Sequence, residues 1–171
     1  NIIDVSYGGE NGFTQAIEAS RDMMQGFRLM EEADVLKDFF GEIARNTGRY
    51  CFGVKDTMYA LELGAVEKLI VWDEIPLKRM VHRMTGSDEE KIVYAPEAGW
   101  IEGTELAEEI PFDEWIADHY TDFGTQLELV TDRTSEGFQF TKGFGGLGGI
   151  LRWEVKFEDY EAPEGADDLE K

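Results

Sequence analysis

The sequence predicts an α/β domain: a layered sandwich with helices on both faces of a mixed sheet, plus a small β insert in the middle. Three observations carry that expectation. Short runs of β-branched and aromatic residues alternate with stretches of helical periodicity. An extra pair of strand-like runs interrupts the alternation near the centre. The chain has 171 residues, of which 42% are hydrophobic, and a domain of that size buries enough surface for one core without staples.

The elements follow in order. Ile2, Ile3 and Val5 read as a strand that meets a turn at Tyr7-Gly8-Gly9. Asn11 suits the N-cap of a helix carrying Phe13, Ala16, Ile17, Met23 and Met24. A second helix is expected from about Met30 to Asn46, with Val35, Leu36, Phe39, Phe40 and Ile43 on one stripe and Gly48 as its terminal glycine. Tyr50-Cys51-Phe52 reads as a buried strand. Asp56 caps a short helix through Leu61 that stops at Gly64, and Val66 to Trp72 is a strand.

Leu77 to Met84 fits strand or helix, and Ile92-Val93-Tyr94 fits strand. Ala95 to Glu109 has no period and reads as a loop, after which Pro111 suits the first position of a helix running to Gly124. Leu127 to Val130 is a strand, and Ser135 caps a helix to about Lys142. Ile150 to Phe157 alternates, with Leu151, Trp153, Val155 and Phe157 on one face and Ile150 and Arg152 on the other. Residues 1–157 form one domain with an insert at about 74–110. Residues 158–171 are an acidic tail, expected to be disordered. The first residue is Asn1 and not Met, which reads as a piece of a longer protein.

Charge and composition exclude several functions. The formal net charge is −21, a field that repels phosphate backbones. The single Cys51 rules out an internal disulfide framework, and two histidines leave few ligands for zinc. A reducing, cytoplasmic setting is expected, with no metal and no cofactor. No apolar run reaches the length of a membrane span.

Few motifs suggest chemistry. Gly143, Gly145 and Gly148 spell G-x-G-x-x-G, but a helix precedes them and a strand follows, the reverse of a dinucleotide site. The same run reads as a helix stop and a flexible turn, with Phe144 and Leu147 as exposed apolar knobs. The many carboxylates single out no acid–base pair. His119 reads as a surface or helix-end histidine, and Cys51 as a core residue. Lys78, Arg79, His82 and Arg83 form a basic spot able to touch RNA, although four cations supply few phosphate contacts. The apolar face of the Phe13–Ile17 helix reads most simply as core, while Tyr7 beside two glycines at its entrance also offers a docking edge.

Four segments in order now become recognisable: Asn1 to Glu18 (NIIDVSYGGENGFTQAIE), Thr47 to Val54 (TGRYCFGV), Ala60 to Val66 (ALELGAV) and Gly143 to Trp153 (GFGGLGGILRW). Together they resemble the C-terminal domain of the class 1 release factors, a family shared with Pelota. The resemblance implies a non-catalytic docking module of translation termination. Its partners would be the class 2 release factor, a translational GTPase, the ABC-type ATPase of ribosome recycling, and the ribosome through the whole factor. The chain has no Gly-Gly-Gln, the hydrolytic loop that the family carries in another domain. By position, the partner surface would use Tyr7, Phe13 and Ile17, and also Phe144, Gly149, Ile150, Leu151, Arg152 and Trp153. A monomer is expected. The related ribosomal-protein fold offers a second reading, binding of structured RNA through Lys78, Arg79 and Arg83. A third, a nucleotide-binding enzyme built on the glycine loop, predicts a thermal shift with NAD or ATP that is expected to be absent. The family often has Tyr at Trp153, Ile at Leu147 and a longer insert than Ala95–Glu109.

Overall fold

The computed structural model describes residues 10–158, so the expected strand at Ile2–Val5, Tyr7 and the acidic tail beyond residue 158 lie outside the described residues. The element order is α1 (Glu10–Ala44), β1 (Tyr50–Phe52), α2 (Val54–Glu62), β2 (Val66–Trp72), β3 (Lys78–Met84), β4 (Glu90–Ala95), β5 (Thr104–Pro111), α3 (Phe112–His119), a 3₁₀ turn (Tyr120–Phe123), β6 (Gln126–Val130), α4 (Ser135–Phe144) and β7 (Leu147–Leu151). One sheet has the order β1-β7-β2-β6, and β4-β3-β5 form a second. In the first, β7 runs antiparallel to β1 and β2, while β2 and β6 are parallel. The sheet is therefore mixed, as expected.

Both faces of this sheet are covered. On one, Leu36 and Phe39 of α1 and Phe140 of α4 pack on Ile70, Val130 and Ile150. On the other, Met58 and Leu61 of α2 and Phe112, Trp115 and Ile116 of α3 pack on Leu69, Val71, Leu147 and Leu151. Double coverage explains why β2 is a near-continuous apolar run and does not alternate cleanly.

The two expected N-terminal helices are one. α1 runs unbroken for 35 residues, about 52 Å at the rise of an α-helix. The segment between the expected halves contains only Gly26 as a weak point, with no proline and no cap to stop the ladder. Its end is set by Asn46 and not by Gly48. Asn46 takes a left-handed φ of 52°. Its N–H donates to the Ile43 carbonyl and the Thr47 N–H to the Glu42 carbonyl, the paired bonds of a Schellman motif. α2 closes in the same way, here at the expected glycine: Gly64 donates to Leu61 and Ala65 to Ala60.

Further corrections concern strands and caps. The expected loop contains β5, which pairs with β3 along its length. Pro111 ends β5 and occupies the N-cap position of α3, one residue earlier than expected. Gly53, not Asp56, stands at the N-cap position of α2. The N-cap of α4 is Thr134, whose hydroxyl accepts the Gly137 N–H at 2.9 Å. The last strand is Leu147–Leu151, not Ile150–Phe157. Its neighbours β1 and β2 begin at Tyr50 and Val66, opposite Ile150 and Leu151, so residues beyond Arg152 have no ladder to join. Val155 and Phe157 still pack on the core, as the alternation suggests, without belonging to the sheet.

Candidate functional site

The glycine-rich run is structural on both sides of its turn. Gly145 and Gly146 take φ of 74° and 81° and turn the chain from α4 into β7. Gly148 and Gly149 are then buried in the strand and not part of a flexible loop. A Cβ on Gly148 would lie 2.8 Å from the Cys51 carbonyl oxygen and 3.4 Å from the rings of Phe39 and Phe140. A Cβ on Gly149 would lie 3.0 Å from the Lys68 carbonyl oxygen. These glycines let two aromatic rings and two strands close on β7. Strand β7, not a helix, follows the turn directly, so no helix N-terminal amides are presented there to a phosphate.

Leu147 is buried, which corrects its reading as an exposed knob. Phe144 is half-buried. Its ring meets Phe39 at 5.4 Å, Phe40 at 5.6 Å and Phe52 at 5.2 Å between centroids. It is the outer member of an aromatic cluster that continues to Phe52, itself 44% exposed. Beside it lies a groove of about 580 Å³ whose apolar wall includes Phe52, Val54, Ile75, Pro76 and Phe144.

Gly149, Ile150 and Leu151 are buried, so none of them presents a side chain outward. The expectation that Ile150 and Leu151 divide between an inner and an outer face fails because both faces are covered. Ile150 packs under α1 and α4, Leu151 under α2 and α3. Arg152 and Trp153 lie just past the strand and are exposed, Trp153 by 49%. The Arg152 backbone N–H donates to Ala65, and its guanidinium donates to the Gly124 carbonyl.

Phe13 and Ile17 stand on the first half of α1, where Phe13 is 71% exposed. Sequence reading did not place Met24, Phe27 and Met30 on the partner surface, yet they continue the exposed apolar surface along the same half-helix. The signal was present: Phe13, Ile17, Met24 and Phe27 fall on one helical stripe. The candidates thus separate. Phe144 and Arg152 flank opposite ends of β7, roughly 13 Å of extended chain. Phe13 and Ile17 sit on the half of α1 that precedes its core-packed residues.

The basic spot is neutralised by neighbours. Lys78 pairs with Glu109, Arg83 with Glu90 at 3.3 Å, and Arg79 with Glu108 at 3.9 Å. The Arg79 guanidinium also lies 4.8 Å from the Trp115 ring. His82 is buried, with Nδ1 3.3 Å from the Thr104 hydroxyl. Burial pushes the Cys51 thiol up to about 12, far from a thiolate at neutral pH. His119 stacks on Trp115, and its Nδ1 lies 2.7 Å from the Trp115 carbonyl. Among the described residues, no group of three or more His, Cys, Asp or Glu is arranged to hold a metal.

Comparison with known proteins matches this arrangement. The family model described as eRF1 domain 3 matches residues 29–155. Eukaryotic peptide chain release factor subunit 1 of Cryptosporidium hominis is 44% identical over 99% of this chain and 42% of its own length. That of Dictyostelium discoideum is 43% identical over 95% of this chain and 40% of its own. The chain thus spans less than half the length of these relatives. Among solved structures, the C-terminal domain of a peptide chain release factor from Methanosarcina mazei superposes with a TM-score of 0.76 at 19% identity, over 88% of this chain and 99% of that one. A model of ribosome-bound archaeal Pelota and ABCE1 gives 0.55 at 23%, over 91% of this chain and 36% of that one. The likeness in fold and the match over most of the chain place it in one family: the chain belongs to the eRF1 domain 3 family, the C-terminal domain of the class 1 release factors.

Proposed function

We propose that this chain is a docking module of translation termination. It ties a class 1 release factor to the class 2 release factor GTPase and later to the ABC-type ATPase of ribosome recycling. It carries out no chemistry itself, and it meets the ribosome as part of the whole factor. The observation that carries this reading is the first half of α1. Phe13, Ile17, Met24 and Phe27 are exposed along one stripe, and apolar surface of that extent on a charged domain marks a protein partner. The unbranched methionines adapt to differently shaped surfaces, which suits successive partners. Arg152 and Trp153 supply a second exposed pair of the residue types enriched at interface hot spots.

The net charge of −21 favours basic patches on those partners and discourages stray RNA contacts. Binding of structured RNA through Lys78, Arg79 and Arg83 is the weaker reading, since each cation already faces a carboxylate.

Calorimetric titration of the intact chain with the C-terminal β-barrel domains of a class 2 release factor, and separately with the recycling ATPase, tests the proposal. Saturable binding to either supports it. Binding to neither, by a chain that is folded, refutes it.

A further inference from the structure

β6 lies at the end of its sheet and pairs only with β2 among the described residues. Along its other side runs a groove of about 310 Å³ that touches Leu127, Glu128 and Leu129 in succession. Consecutive residues of a strand point to opposite faces, so a groove that meets all three follows the strand's edge. Arg28, Glu31 and Glu32 of α1 bound it on one side and Tyr120 of the 3₁₀ turn on the other. α1 covers one face of the sheet and Tyr120 packs on the opposite core. The groove is therefore a slot open where a further strand would lie.

The slot is anionic, with Glu31, Glu32 and Glu128 against Arg28 alone. Glu32 is buried to 6% exposure, unusual for a carboxylate. Its Oε2 accepts from the Thr131 backbone N–H at 3.1 Å and the Thr131 hydroxyl at 3.0 Å. Its Oε1 accepts no hydrogen bond, and the Arg28 Nε stands 3.6 Å away on a side chain that is 66% exposed. A buried carboxylate oxygen without a donor is costly, and a cationic side chain entering the slot would satisfy it. Phosphate-bearing ligands are repelled by the same carboxylates.

We propose that this slot takes an extended, basic segment of a partner protein. The segment adds a strand to β6 through main-chain hydrogen bonds and sets an arginine or lysine against Glu32 Oε1. Ladder bonds supply the affinity, and the carboxylates select the charge. Phe13, Ile17, Met24, Phe27 and Arg152 do not line the slot, so it stands whether or not those residues dock a GTPase.

The test titrates the intact chain with a fluorescein-labelled heptapeptide of alternating valine and arginine, with backbone amide shifts followed by NMR. Saturable binding is expected, with shifts concentrated at residues 28–32 and 126–131. Glu32→Gln, which keeps an acceptor for Thr131, is expected to weaken binding about tenfold. The same peptide methylated on alternate backbone nitrogens is expected to lose about as much, and this arm needs no change to the protein. No saturable binding, shifts confined elsewhere, or equal affinity for the methylated peptide would overturn the proposal.

Discussion

The rings of Phe39 and Phe140 meet edge to face, with centroids 5.5 Å apart at 88°. Both close on Gly148, so that α1 and α4 share a contact over a strand position without a side chain. A methyl group there would press on the Cys51 carbonyl as well as on both rings. Gly148→Ala is expected to destabilise the fold by about 1–3 kcal/mol, the usual cost of overpacking. Gly26→Ala is the contrasting case. It sits inside α1 with nothing near its missing Cβ, so helix propensity alone predicts a gain of about 0.5–1 kcal/mol. Urea unfolding of both variants checks the pair.

The end of α1 rests on Asn46 in a left-handed conformation. Asn46→Ala forces a Cβ-bearing residue, without a short polar side chain, into that region at a cost of about 1–2 kcal/mol. Asn46→Gly is expected to be neutral or slightly stabilising. Thermal unfolding of the two variants separates this cap from any role of Gly48.

Cys51 makes a prediction about alkaline pH. Its folded pKa is raised from 9.0 to about 12, first by burial. Between those values the unfolded chain releases the thiol proton and the folded chain keeps it, so stability is unaffected below about pH 9 and falls above it, by roughly 1.4 kcal/mol per pH unit at most. Cys51→Ala should remove that part of the alkaline slope, measured by denaturant titration from pH 8 to 11. The native thiol should also resist alkylation at pH 8 unless the chain is unfolded.

Arg79 joins the second sheet to α3. It projects from β3 over Trp115 of α3, between Tyr94 and the Glu108 carboxylate. Arg79→Lys keeps the charge but loses the planar stack, at an expected cost of about 1 kcal/mol. Tryptophan fluorescence during unfolding reports it, and Arg83→Lys, at an exposed pair, is expected to cost little.

Where an element's own residues determine it, the sequence was legible. β2 and β6 show β-branched or leucine runs, and Gly64 marks the end of α2. β5 was not legible, because Thr104 to Pro111 carries three glutamates among its eight residues and does not alternate; its partners Lys78 and Arg79 lie a strand away. β7 was displaced because Gly148 and Gly149 have poor strand propensity, and only their packing against Phe39, Phe140 and Val66 explains them. The candidate surface was read in part. Phe13, Ile17, Arg152 and Trp153 are exposed, whereas double coverage of the sheet buries Gly149, Ile150 and Leu151.

The most direct test of the docking account is the dissociation constant for the C-terminal β-barrel domains of a class 2 release factor, measured for the native chain and for a Phe13→Ala, Ile17→Ala double variant. Both side chains are exposed, so unfolding should be unchanged. The account predicts binding weakened at least about tenfold, as for loss of an apolar hot spot. An unchanged constant in a fully folded variant would contradict it.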